Sequence, residues 1–468
     1  MPPEDYSRLD FGRLEAESDK DLPSYFLATR HVQDIVGRGK YLVLGRKGAG
    51  KTALFKYLES RIEESCPDVE VISLDLIDYA FEIHRNLNQE ELTPARSYSL
   101  SWKLLYYYIA AEKIFNSLER TEQKTLVAAF NQIGITSGVG SFGALGNWFR
   151  RSRDPKTLTL PTVAGVGGGG ITVADGPRAV DPQMSGSLSK IEEIFSQNFS
   201  RAPFTVLVDR LDDAWDGSDQ SKKLIAGAIN AARDLSISLS IKGYPAPVVA
   251  FLRTDIWNAL SFNDLNKTSQ DQVHLDWSDN ELQDIVALRI SHSLDCSKSA
   301  AWAKAFPIEE MRNRQSAFKY MTKRTMRRPR DLIAFCINAE ESRADIMQSI
   351  SPSDIYEGEG PYSDHMLREL KDEIGLHEIE FDEVVRALKG LGKRSHTESE
   401  WLQSCSRNRI SEGDAHKVLD LLFDCSVIGV FKSGSTVKFR YDDPYLARPS
   451  EGLQVHPSLL KALNLTDR

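Results

Sequence analysis

The tightest constraint on this chain is Tyr41-Leu42-Val43-Leu44-Gly45-Arg46-Lys47-Gly48-Ala49-Gly50-Lys51-Thr52-Ala53. An apolar strand runs into a glycine-rich turn, and a helix opens at Lys51-Thr52-Ala53-Leu54-Phe55. The spacing Gly45-x4-Gly50-Lys51-Thr52 is that of a phosphate-binding loop. Its glycines let the backbone turn tightly and aim N–H groups inward, and the helix start adds a dipole that favours anions. Residues Gly45 to Ala53 are therefore the expected ATP-binding segment, with Lys51 for the terminal phosphates and the Thr52 hydroxyl for Mg2+. A chain that carries this unit is committed to a parallel α/β sheet nearby.

A second stretch supports the first. Phe204-Thr205-Val206-Leu207-Val208 reads as a buried strand and ends in Asp209. An acid at the C-terminal end of such a strand can hold Mg2+ beside the loop. Asp209 takes that role, and Asp212 or Asp213 could orient and deprotonate the attacking water. A third apolar run, Pro247 to Leu252, leads to Arg253-Thr254-Asp255. Arg253 and Thr254 are the candidates to face the γ-phosphate, the alternative being a salt bridge from Arg253 to Asp255 or another surface acid. Between these strands, helices are expected at about 50–65, 101–118, 185–199 and 219–240, and a strand at Val69–Leu76. The aromatic stripe of Trp102, Tyr106, Tyr107 and Tyr108 reads as core.

At 468 residues the chain is long enough for two or three domains. Its net charge of −9 argues against a polyanion-binding protein as a whole, so DNA is a partner that the charge balance does not favour. Five scattered cysteines with no C-x-x-C pair fit a reducing cytoplasm rather than a zinc site. The acidic start, Met1-Pro2-Pro3-Glu4-Asp5, has no apolar leader pattern. Thr125 to Phe149 lacks charge, but its asparagines and glycines argue against a membrane span. With the glycine run near 165–170 it forms an expected insertion at about 125–185.

Beyond about 275 the pattern turns to successive helices, beginning with a cap at Ser278 or Asp279. Arg312 to Arg330 carries eight basic side chains and no acid, so it calls for phosphates or acidic partners. Residues 375–445 read helix, helix, helix, hairpin, the order of a winged helix, with a turn at Ser433-Gly434-Ser435. Its third helix, Ser411 to Asp420, is more acidic than basic and suits a protein partner better than DNA. The expected division is a P-loop core at 1–270, a helical lid at 271–350 and a winged-helix-like domain at 351–468.

Together, Gly45–Thr52, Val206–Asp213, Phe251–Ile256, Arg327–Asp331 and the terminal winged helix resemble the AAA+/STAND group of P-loop ATPases. Within that group the chain is similar to prokaryotic KAP-like and origin-recognition ATPases. Asp209-Arg210-Leu211-Asp212-Asp213 is similar to a NACHT-type pattern, although Arg210 stands where AAA+ proteins carry glutamate. The resemblance implies that Arg253 and Arg330, or Arg328, sense nucleotide. It also implies a homo-oligomer, a separately encoded effector and a role in defence against phage. Two other readings stay open: an origin-recognition-like ATPase acting on DNA, and an ATP-binding scaffold without turnover.

Overall fold

The computed structural model describes residues 6–77, 79, 81, 84, 94–132, 182–260, 265–374, 380–432, 436–443, 445–448 and 452–467. Of the insertion expected at about 125–185, residues 133–181 lie outside the described residues, as does the hairpin turn at 433–435, while 125–132 and 182–185 fall in helices. The chain divides into two compact units, one of residues 28–276 and one of 1–27 with 277–468.

The first unit is built on a five-stranded parallel sheet. Its strands are β1 (Leu42–Gly45), β2 (Glu70–Asp75), β3 (Phe204–Asp209), β4 (Val248–Arg253) and β5 (Gln272–His274), in the order β2-β3-β4-β1-β5. Central parallel strands are covered on both faces, which is why β1, β3 and β4 are almost unbroken apolar runs. Leu42, Val43, Leu44, Val206, Leu207, Val208 and Val248 to Leu252 are all fully buried. The helices are α1 (Arg30–Val36), α2 (Lys51–Ser65), α3 (Pro94–Ile114), α4 (Arg120–Gln132), α5 (Pro182–Asn198), α6 (Asp219–Ser238) and α7 (Thr254–Ala259). Trp102, Tyr106, Tyr107 and Tyr108 of α3 are core, as expected, and Trp102 Nε1 donates to the Leu224 carbonyl of α6 at 3.1 Å. Close approach of α3 and α6 depends on Gly227: a Cβ there would lie 2.6 Å from Tyr98 Cβ.

The second unit opens with α8 (Asp279–Leu294), α9 (Lys298–Ala305), α10 (Ala317–Thr322), α11 (Pro329–Glu341) and α12 (Pro352–Ile374). Ser278, not Asp279, caps α8, and Glu281 completes a reciprocal capping box. Phe335 of α11 stacks on Tyr362 of α12 with centroids 4.4 Å apart. Leu9 and Phe11 from the start of the chain join this core. Asp19 and Tyr25 are held there by Arg289 of α8, whose guanidinium lies over the Tyr25 ring at 4.7 Å. The remainder runs α13 (Phe381–Gly390), β6 (Ser395–His396), α14 (Glu398–Arg407), α15 (Glu412–Asp424), β7 (Ile428–Lys432), β8 (Thr436–Lys438) and β9 (Leu453–Val455). Its sheet order is β6-β9-β7-β8, with antiparallel pairing. This is the three-helix-plus-hairpin order read from the sequence, with β6 and β9 added. All five cysteines are free. Among the described residues no helix is long and apolar enough to cross a membrane.

Candidate nucleotide site

Strand β1 delivers the glycine-rich loop to the C-terminal edge of the sheet, where open α/β folds take their ligands. Gly48 has φ +78° and Gly50 φ +95°. Both are left-handed conformations that an L side chain adopts only with strain, so these two glycines are requirements of the loop. Ala49 N–H donates to the Arg46 carbonyl at 3.1 Å and closes the turn. Gly50 is the N-cap residue of α2 and has no side chain to satisfy the helix start. The first N–H groups of α2 are therefore left for an anion. Arg46 and Lys47 are half-buried, as are Thr52 and Ala53.

Lys51 is buried, and its Nζ lies 3.4 Å from the Gly45 carbonyl. Burial lowers its pKa, while the carboxylates of Asp212 and Asp209 act in the opposite direction. Arg253 pushes it down further. These four side chains therefore share one electrostatic neighbourhood at the ends of β1, β3 and β4. The register explains how: Gly45 pairs with Arg253, and β3 lies on the other side of β4.

Asp209 is the last residue of β3 and only 2% exposed. Burial raises its pKa to about 6, against the stabilising Thr52 hydroxyl and Arg210 backbone N–H, which both donate to it. Its Oδ2 has no hydrogen-bond partner among the described residues. A buried carboxylate oxygen of this kind, beside a threonine hydroxyl, is a pair of hard oxygen donors and fits Mg2+.

Asp212 and Asp213 sit in a short 3-10 turn, Leu211–Ala214. Asp212 is half-buried and is the foremost charge acting on Lys51, whereas Asp213 is exposed. Arg210 adopts φ +63°, an uncommon conformation for arginine, and its Nε lies 3.1 Å from Asp75 Oδ1 at the end of β2. Strand pairing places Asp75 directly beside Asp209. The sequence marks Asp75 only as an acid near the end of a β-rich run. Arg253 makes a two-pronged pair with Asp255 at 3.1 and 2.7 Å, the second of its two expected roles, and its charge also acts on Lys51.

Arg330 and Arg328 belong to the other unit. Arg328 is buried and engages Asp331 at 2.9 Å, and Arg330 lies 3.7 Å from Glu369. The basic stretch thus finds acidic partners within its own unit. Arg324 pairs with Glu359 at 2.8 Å, and Arg327 pairs with Asp279 and lies 3.9 Å from Asp442.

A parallel β2-β3-β4-β1-β5 sheet with a glycine loop after β1 and an acid closing β3 defines a P-loop NTPase fold. A sequence family described as a FunZ-associated C-terminal helical domain matches residues 280–371. Among solved structures, the chain is similar to a Walker-type ATPase of Pyrococcus abyssi at 11% identity, covering 98% of this chain and 100% of that one, with a TM-score of 0.40. It is similar to the Aeropyrum pernix ORC2 protein in ADPNP and ADP complexes at 12% identity, covering 96% and 92%, TM-score 0.39. It is also similar to the Aeropyrum pernix ORC1 protein in complex with DNA at 12% identity, covering 91% and 86%, TM-score 0.34. No curated protein matches.

Proposed function

We propose that the chain binds ATP with Mg2+ and hydrolyses it, as a nucleotide-driven switch. The observation that carries this reading is the partnerless buried oxygen of Asp209 beside Thr52 and Lys51. Thr52 and Asp209 would hold the cation, which when bound supplies charge neutralisation at the phosphate oxygens. The amides around Gly48 and Gly50 cradle the phosphates, and Lys51 carries its ammonium to the terminal ones. Asp212 is the favoured proton acceptor for the attacking water, because it is half-buried and electrostatically coupled to Lys51 while Asp213 faces solvent. Arg253, held by Asp255, is positioned to respond to charge at the same place. Arg210 is committed to Asp75 rather than to the position of a water-activating acid.

Multiple-turnover phosphate release with and without duplex DNA tests the proposal. Lys51→Ala is expected to lose ATP binding and turnover together; unchanged nucleotide affinity would remove the loop from the site. Stimulation of release by DNA would favour the origin-recognition-like reading, and ATP binding with no release the scaffold. The finer roles come from the family resemblance: a homo-oligomer, a separate effector and defence against phage. Light scattering with and without ATP addresses the first of these. Arg330→Ala, assayed at saturating ATP, tests the sensor assignment, and normal turnover would withdraw it.

A further inference from the structure

A cleft of about 880 Å3 lies wholly within the second unit, between the α10 region and the sheet of β7, β8 and β9. Its size falls in the range of small-ligand sites, roughly 300–1,000 Å3. Three independent features mark it.

The first is charge. Arg324, Arg327 and Arg394 line the cleft, and each has a carboxylate partner: Glu359, Asp279 and Asp467 respectively. Lys319 and Lys323 also line it, one helical turn apart and exposed, with no carboxylate partner among the described residues. Two adjacent uncompensated ammonium groups match a pair of linked phosphates.

The second is unmet hydrogen bonding. Gln315 and Thr322 line the same cleft and are each 8% exposed. Gln315 Oε1 and Thr322 Oγ1 are buried with no hydrogen-bond partner among the described residues. Buried orphans of this kind are uncommon, and each leaves a polar atom to be satisfied. A glutamine carbonyl can only accept, so its missing partner is an N–H or O–H donor. The third feature is backbone strain. Asn313 and Arg327, both lining residues, have φ of +61° and +54°, and Arg314 between them has +52°. Such conformations cluster where a surface is held in shape for a ligand. Phe439 and Tyr441, parallel to within 5°, add an aromatic wall.

We propose that this cleft is a second ligand site, taking a free nucleotide. Its phosphates sit on Lys319 and Lys323, and an amino or imino group of its base donates to Gln315 Oε1. A nucleic-acid strand is disfavoured here. Glu359, Asp279 and Asp467 already neutralise the arginines of the cleft, so among the described residues two lining cations are left without a carboxylate partner, too few for a run of phosphates. Specific nucleic-acid interfaces bury on the order of 1,000 Å2 or more of strongly basic surface.

The proposal is independent of the P-loop reading, and the test keeps them apart by using the full chain with Lys51→Ala. Calorimetric titration is made with ATP, GTP, NAD and a cyclic dinucleotide, and in parallel with a single-stranded oligonucleotide of about ten nucleotides. One of the four nucleotides is expected to bind at one site per chain. Lys319→Glu with Lys323→Glu is expected to weaken it at least tenfold, and Thr322→Val by a smaller factor. Affinity for the nucleotide should fall less steeply with salt than that of a nucleic-acid strand, because a free nucleotide has no condensed counterion atmosphere to release. Three results would overturn the proposal: none of the four nucleotides binding, binding that ignores the lysine reversal, or the oligonucleotide binding more tightly with a steeper slope. Lys319 and Lys323 are exposed, so charge reversal does not threaten the core. An unchanged circular dichroism melt verifies that, and Lys319→Gln with Lys323→Gln repeats the titration without charge reversal.

Discussion

Asp209 is placed where its charge is costly without a cation. Burial lifts its pKa from the usual 3.8 to about 6, so the ionised form destabilises the fold at neutral pH. The sign is that of a raised carboxylate: the penalty is complete above about pH 6 and fades as pH falls toward 3.8. Asp209→Asn is therefore expected to raise the unfolding free energy of the nucleotide-free protein at pH 7.5, by about 1–3 kcal/mol from a shift of this size. The gain should disappear near pH 4 while Mg2+-dependent turnover is lost at every pH. Chemical denaturation at several pH values reads it, and a gain that does not change with pH would rule out the electrostatic cause. The neighbouring acids separate by exposure. Asp212→Asn is expected to slow phosphate release about 100-fold, the scale of losing a general base, and Asp213→Asn to leave it within a few fold. If neither substitution affects phosphate release, the water-activating group lies elsewhere.

Two helix pairs depend on a single glycine each. In the nucleotide unit, a Cβ at Gly227 of α6 would meet Tyr98 Cβ at 2.6 Å and its carbonyl carbon at 2.9 Å. In the other unit, a Cβ at Gly358 of α12 would meet the backbone of Asn338 and Ala339 in α11 at 2.7 Å. Alanine gains up to about 1 kcal/mol over glycine as a helix former. Backbone atoms cannot rotate away, however, so each pair must separate, and overpacking costs about 1–3 kcal/mol or more. Gly227→Ala and Gly358→Ala are both expected to destabilise on balance. Neither contact was legible in the sequence, where both positions read as ordinary helix. What was legible had local causes. Strands β1, β3 and β4 are apolar runs because both of their faces are covered, and the loop glycines hold positive φ that other residues resist. The strand order was not legible, since apolar runs do not say which neighbour they pair with. The basic stretch looked uncompensated for a related reason. Glu359, Asp442 and Glu369 lie dozens of residues downstream and meet it only in the fold.

The chain's two units have their own cores, and the nucleotide loop belongs to one alone. The second unit is discontinuous, since Leu9 and Phe11 complete a core whose helices begin at Asp279. Separate cores predict two thermal transitions rather than one, because two-state behaviour holds for single domains and fails for chains of several. Mg2+ and ATP held at the loop would stabilise only the folded form of that unit, so they should raise the midpoint of the transition belonging to residues 28–276. At a hundredfold excess over Kd the gain is about 2.7 kcal/mol. For a unit of this size that is roughly 5–10 °C. Lys51→Ala should abolish the shift without altering the nucleotide-free trace by more than a degree or so. The glycine variants assign the transitions: Gly227→Ala should lower the one that ATP raises, and Gly358→Ala the other. Differential scanning calorimetry with hydrogen-exchange mass spectrometry on the same samples provides both midpoints and their locations. A single transition that both glycine variants move together would show that the units unfold as one, and a ligand shift surviving Lys51→Ala would place ATP binding outside the loop.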